Sequence, residues 1–102
     1  MKIQTLGFDW DSGNKRKCRK HGLRLGDIEE FFRQPQLLIM SDMHHSRLEE
    51  RYIAYGQTHK GRPMFVAFTF RNRNGEQLIR PISARYMHEK EAREYEEKST
   101  EI

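Results

Sequence analysis

"PMFVAFTFRNRNGEQLIRPISARY", residues 63–86, decides the fold. Apolar and aromatic residues fill 63–71, "NRNG" follows at 72–75, and a second apolar run occupies 76–86. An Asn-Gly pair between two such runs marks a tight hairpin, because both central residues tolerate positive φ. Two antiparallel strands are therefore predicted, 63–71 and 76–86. Working outward, "RYIAYGQTH" (51–59) reads as a strand joined to 63–71 by the turn "KGR". "QLLIM" (36–40) reads as a shorter strand, separated from it by the polar loop "SDMHHSRLEE". Together these give a four-strand antiparallel meander.

The flanks read as helices. "TLGFDWD" (5–11) alternates Leu6, Phe8 and Trp10 against Gly7, Asp9 and Asp11, as a short half-buried strand does. Asp11 or Ser12 then caps a helix that Gly22 ends, with Lys20 and His21 in its last turn. A second helix within 23–35 carries Leu25, Ile28, Phe31 and Phe32 on one face, and Pro35 stops it. Residues 87–98, "MHEKEAREYEEK", form a terminal helix with Glu89–Arg93 and Glu94–Lys98 at i,i+4 spacing. Such an α+β chain places its helices mainly on one face of the sheet and leaves the other open. Its 102 residues suit one small domain over 1–102.

Charge distribution narrows the function. The net charge is +4, but residues 14–24 hold Lys15, Arg16, Lys17, Arg19, Lys20 and Arg24 without an acid. Residues 60–85 add Lys60, Arg62, Arg71, Arg73, Arg80 and Arg85 against Glu76 alone. The tail from 89 to 101 reverses this, with six glutamates against three basic residues. A basic body fits a polyanion partner, nucleic acid first. The lone Cys18 allows no internal disulfide and fits a reducing, cytoplasmic setting. No apolar run approaches the ~20 residues of a membrane span. His44, His45, His59 and His88 follow no metal-ligand spacing, so neither a metal nor another cofactor is expected.

Strand alternation selects candidates on the open face. In 63–71, Phe65, Ala67, Thr69 and Arg71 share one side; in 76–86, Ile79, Pro81, Ser83 and Arg85 share one side. The greasier sets belong under the helices. Arg71 and Arg85 then form a phosphate cradle beside Thr69 and Ser83, and Arg80 falls on the opposite side. A bulge at Pro81 or a shift at the hairpin inverts part of this assignment. Lys20 and His21 offer a phosphate ligand and a proton carrier near neutral pH, and Glu49 or Glu50 of "LEERY" offers a base. Each also has a plain structural reading: helix cap, surface charge or counter-ion.

Taken together, "FDWD" at 8–11, "N…RKHG" from Asn14 to Gly22, "EERYIAYG" at 49–56, "FVAFTFR" at 65–71 and "IRPISARYMHEKEAREYE" at 79–96 give the chain a marked likeness. It resembles the BrnT family of bacterial ribonuclease toxins, which are RelE-like members of type II toxin–antitoxin pairs. It departs from the common family pattern at Pro81 and Tyr86. The resemblance implies a compact RelE-like domain that cuts RNA without metal through its 2′-OH. It also implies a BrnA-like antitoxin with a ribbon-helix-helix part, through which the pair binds its own operator DNA. The matching positions are Arg71, Arg85, Glu50 and His21 for catalysis, with Lys20 and Arg80 for binding RNA phosphate. The alternative is a non-catalytic basic module that clamps RNA or an acidic protein.

Overall fold

The computed structural model describes residues 3–45 and 49–100. The expected central hairpin is present. Strand β4 (Pro63–Arg73) pairs antiparallel with β5 (Glu76–Tyr86) from Met64↔Tyr86 to Arg73↔Glu76. Asn74 and Gly75 close it with φ of 53° and 81°, the backbone of a two-residue type I′ turn. Strand β3 (Tyr52–Gln57) pairs antiparallel with β4, and β2 (Leu38–Ser41) with β3. The loop expected after 40 begins one residue later and contains a 3-10 turn, Met43–His45; residues 46–48 lie outside the described residues, as does Glu101.

The sheet differs from a four-strand meander in one respect. Strand β1 (Gly7–Phe8) adds a fifth strand, parallel to β5, giving the order β1-β5-β4-β3-β2. Only two residues pair as strand, with Asp9 N–H donating to the Ile79 carbonyl just beyond. Gly7 sits against the Leu78 side chain, where an added Cβ would approach to 3.2 Å.

The three helices occupy three places rather than one face. Helix α2 (Leu25–Phe32) buries Ile28, Phe31 and Phe32 against Phe68, and these join Met64, Val66, Ile79 and Ala84 in one apolar core. Helix α1 (Ser12–Arg19) lies along β5, on the length of its edge that the short β1 leaves uncovered. Helix α3 (Glu89–Thr100) stands over the opposite sheet face, where Met87 and Tyr95 with Leu38, Met40, Tyr55 and Phe65 line a cavity of about 170 Å³. Among the described residues, no helix is long and apolar enough to cross a membrane.

One irregularity controls side-chain direction. The register passes from Ala67↔Ser83 to Phe68↔Pro81, so Ile82 is an extra residue in β5. An inserted residue restarts the in–out alternation. Pro81 and Ala84, three apart, therefore both face the core, where Phe68 and Val66 oppose them. Arg80 consequently shares the open face with Thr69 and Arg71, which corrects the opposite placement expected from uninterrupted alternation. Arg85 lies on that face too, opposite Phe65.

Candidate nucleic-acid interface and active site

A cleft of about 700 Å³ opens between α1 and the bulged end of the open sheet face. Arg71, Arg80 and Ile82 form its sheet side, Lys17 and Lys20 of α1 its far wall, and Glu49 closes one end.

The α1 wall is fixed by Asn14. Asp11, not Ser12, is the N-cap: its carboxylate accepts from the N–H groups of Gly13 (2.9 Å) and Asn14 (3.1 Å). The Asn14 side-chain oxygen accepts from Asp11 N–H at 2.7 Å, completing a reciprocal capping box. Its amide nitrogen donates to the carbonyls of Asp9 and Pro81, each at 2.9 Å. A single buried amide thus ties the helix start to the bulge in β5. Gly22, at φ +84°, ends this segment in the left-handed conformation.

The arginines are held by carboxylates. Arg80 donates to Asp9 at 3.3 Å and to Asp11 at 2.8 Å, and its side chain is only 16% exposed. Asp9 also receives Arg73 at 3.2 Å. The alternation in "FDWD" explains this: Phe8 and Trp10 stack on one side, and Asp9 and Asp11 both reach Arg80. The Asp11 carboxyl titrates below its usual range, first because the Asn14 backbone N–H binds it and next because Arg80 does. Arg71 is gripped by Glu49 through two bonds of 3.2 Å, and this pairing raises its already high pKa. The Thr69 hydroxyl donates to the Glu50 carbonyl at 2.7 Å, pinning the chain that brings Glu49 to Arg71. Among the described residues, Arg71 and Arg80 each commit two of five N–H donors to carboxylates, leaving three apiece.

The remaining candidates stand elsewhere. Glu50 is exposed and accepts the Tyr52 hydroxyl at 2.7 Å, a bond that raises the tyrosine pKa. His21 lies in the exposed turn after α1, next to cleft-lining Lys20, and is not part of the cleft wall. Arg85 lies about 15 Å of strand away from Arg80. It stacks on the Phe65 ring at 4.2 Å and grips Glu91 of α3 with bonds of 2.9 and 3.1 Å. Glu91 is thereby driven down to about 2, with the His88 backbone N–H the next contributor. Arg71, Arg80 and Lys20 come together; Arg85, Glu50 and His21 do not join them.

Asp9 and Lys17 were not singled out as site residues from sequence; Asp11 was a candidate helix cap, Asn14 part of the family motif, and Glu49 an equal candidate with Glu50. The signal for Asp9 and Asp11 was present in their shared parity. For Glu49 against Glu50, adjacent acids before a strand give no such guide.

The family of ribonuclease toxins named BrnT, of type II toxin–antitoxin systems, matches residues 10–91. The chain belongs to the BrnT family. The match covers the α1 wall, Arg71 and Arg80, Glu49 and Glu91. Type II systems pair such a toxin with an antitoxin, and a ribonuclease takes RNA as substrate, which suits the basic cleft. No curated protein matches the chain.

Proposed function

We propose that this BrnT-family chain is a metal-independent endoribonuclease that works in the α1–sheet cleft. The observation carrying this is the pairing of Arg71 and Arg80 on adjacent strands, each oriented by carboxylates, opposite the lysines of α1. RNA supplies its own nucleophile, the 2′-OH. The protein must align it with the phosphorus, accept its proton and stabilise the charge that develops on the phosphoryl oxygens. Arg71 and Arg80 stabilise that charge with their spare N–H donors, already fixed before substrate arrives. Lys17 and Lys20 hold the phosphate from the α1 side. Glu49 is the carboxylate at the cleft and accepts the 2′-OH proton, in the role expected for Glu50. The P–O5′ bond breaks as the 2′-O–P bond forms, the departing 5′-oxygen takes a proton from solvent at the open cleft, and the products are a 2′,3′-cyclic phosphate and a 5′-hydroxyl end.

The donor set of the cleft supports metal independence. Among the described residues its charged lining is cationic apart from one carboxylate, Glu49, which already binds Arg71. Among the described residues, the His/Asp/Glu group close enough to hold an ion is Asp27, Glu30 and His59, none of which lines the cleft. Element order, with two N-terminal helices, an antiparallel run of strands and a C-terminal helix, supports a RelE-like fold for a single toxin domain over 1–102. Family membership supports a BrnA-like ribbon-helix-helix antitoxin that neutralises the toxin and carries operator DNA binding for the pair. A toxin acting on cellular RNA works in the cytoplasm.

Purified protein is incubated with a 5′-labelled RNA, with and without EDTA, and the new ends are identified. Cleavage that persists in EDTA and leaves cyclic phosphates is expected. Binding without cleavage would instead establish the clamp module.

A further inference from the structure

The basic surface of α1 does not stop at the cleft. Lys15, Arg16, Arg19 and Lys20, with Ser12, line a second, shallower depression on the helix. Arg16 and Lys20 line both depressions, so the helix forms a ridge between them.

Among the described residues, the charges on this ridge are uncompensated. Helix α1 carries Lys15, Arg16, Lys17 and Arg19, with Lys20 at its C-cap, and has no acid in its first turn. Lys15 with Arg19, and Arg16 with Lys20, are like-charge i,i+4 pairs, which disfavour a helix by a few tenths of a kcal/mol each. Four arginines of the hairpin strands are neutralised by contrast: Arg71 by Glu49, Arg73 by Asp9, Arg80 by Asp9 and Asp11, Arg85 by Glu91. Among the described residues, no carboxylate pairs with Lys15, Arg16, Lys17, Arg19 or Lys20. Arg19 donates to the Lys15 carbonyl at 3.4 Å. A self-repelling face continuous with an anion-binding cleft is complementary to a polyanion that runs out of that cleft.

We propose that α1 is a track for the RNA flanking the cut, with Lys15 and Arg19 binding phosphates outside the cleft. The substrate is a single strand reaching several nucleotides beyond the scissile bond. A strand must cross a ridge one helix wide, roughly 10–12 Å. Single-stranded RNA can bend over it, whereas a stiff duplex cannot follow such a path. Lys15 and Arg19 lie one turn apart, about 6 Å along the axis, so both face the same outer depression. The proposal rests on the ribonuclease reading.

The test measures affinity against length. A fluorescent 2′-O-methyl RNA 12-mer, which lacks the nucleophile, and the matching trimer are bound to wild type and to a Lys15→Ala, Arg19→Ala variant. Loss of two phosphate contacts should weaken 12-mer binding about tenfold near 100 mM salt and reduce the salt slope by roughly 1.4. Trimer binding should stay within about twofold. Thermal stability should hold or rise, because the variant removes a like-charge pair. A Lys15→Arg, Arg19→Lys variant should bind as wild type does. The proposal is overturned by an unchanged 12-mer affinity, by equal losses for both lengths, or by a duplex that binds as tightly as the single strand. Failure of the ribonuclease reading looks different: the 12-mer binds along α1, but its unmodified form is not cut.

Discussion

Replacing Asn14 by alanine should uncouple the α1 wall from the sheet. Its side chain makes three hydrogen bonds: from Asp11 N–H, and to the carbonyls of Asp9 and Pro81. Each is worth about 1 kcal/mol net, and the bond to Pro81 is buried, so its loss strands a polar group away from water. The bonds belong to one network, and simple addition does not hold. A loss of about 2–4 kcal/mol is expected. For a domain of this size, 1 kcal/mol moves the melting temperature by about 4–8 °C. The variant should therefore melt at least about 10 °C below wild type, by circular dichroism at matched concentration. Asn14→Asp keeps the acceptor for Asp11 N–H but sets a carboxylate oxygen against the Asp9 and Pro81 carbonyls, so it should lie at or below the alanine variant. Below the transition, RNA cleavage should fall further than the folded fraction does, since Lys17 and Lys20 ride on α1. A melting temperature within about 2 °C of wild type would refute the claim that this amide joins α1 to the bulge.

Three further outcomes follow from the same contacts. Glu49→Gln should lower cleavage by about a hundredfold or more, as loss of a general base does, while Glu50→Gln should cost less than about threefold in the same assay. Glu91 has its pKa depressed to about 2, so its contribution is present above pH 4.5 and is lost as pH falls from there toward 2. Its side chain is 41% exposed, and solvent screening limits the effect to about 1 kcal/mol. Urea midpoints of wild type and Glu91→Gln should therefore differ at pH 6 and converge near pH 2; a constant difference would count against the Arg85 pairing. Cys18 is fully buried, and burial pushes its thiol up to about 11, so native protein at pH 8 should resist iodoacetamide that labels it readily in urea.

Much of the fold was legible because local signals agreed. The Asn-Gly turn, Pro35 and Gly22 each fall where a strand pair closes or a helix has ended. The core faces of α2 and β4 follow simple periodicity. The strand within 5–11 was legible, but its parallel pairing with β5 was not, because alternation says nothing about a strand's neighbour. The cleft was harder to see because one inserted residue, Ile82, resets alternation in β5. Before the bulge is known, Arg80 counts with the core; after it, Arg80 stands beside Arg71. The resemblance to the BrnT family had named Arg80 where alternation did not, and the bulge removes that conflict. Arg85 shares the face that alternation gave it. The partner that occupies it, Glu91, sits on α3, whose docking depends on tertiary packing rather than local pattern.

The most direct test of the active-site assignment compares three arginine variants on one RNA substrate, each corrected for folded fraction. Arg71→Ala and Arg80→Ala should each lose on the order of a hundredfold in cleavage, as removal of a fixed charge-stabilising donor does. Arg85→Ala should lose less than about fivefold and show its main effect on the docking of α3. Full activity in a folded Arg71→Ala, Arg80→Ala double variant would contradict the account, as would an Arg85→Ala loss equal to theirs.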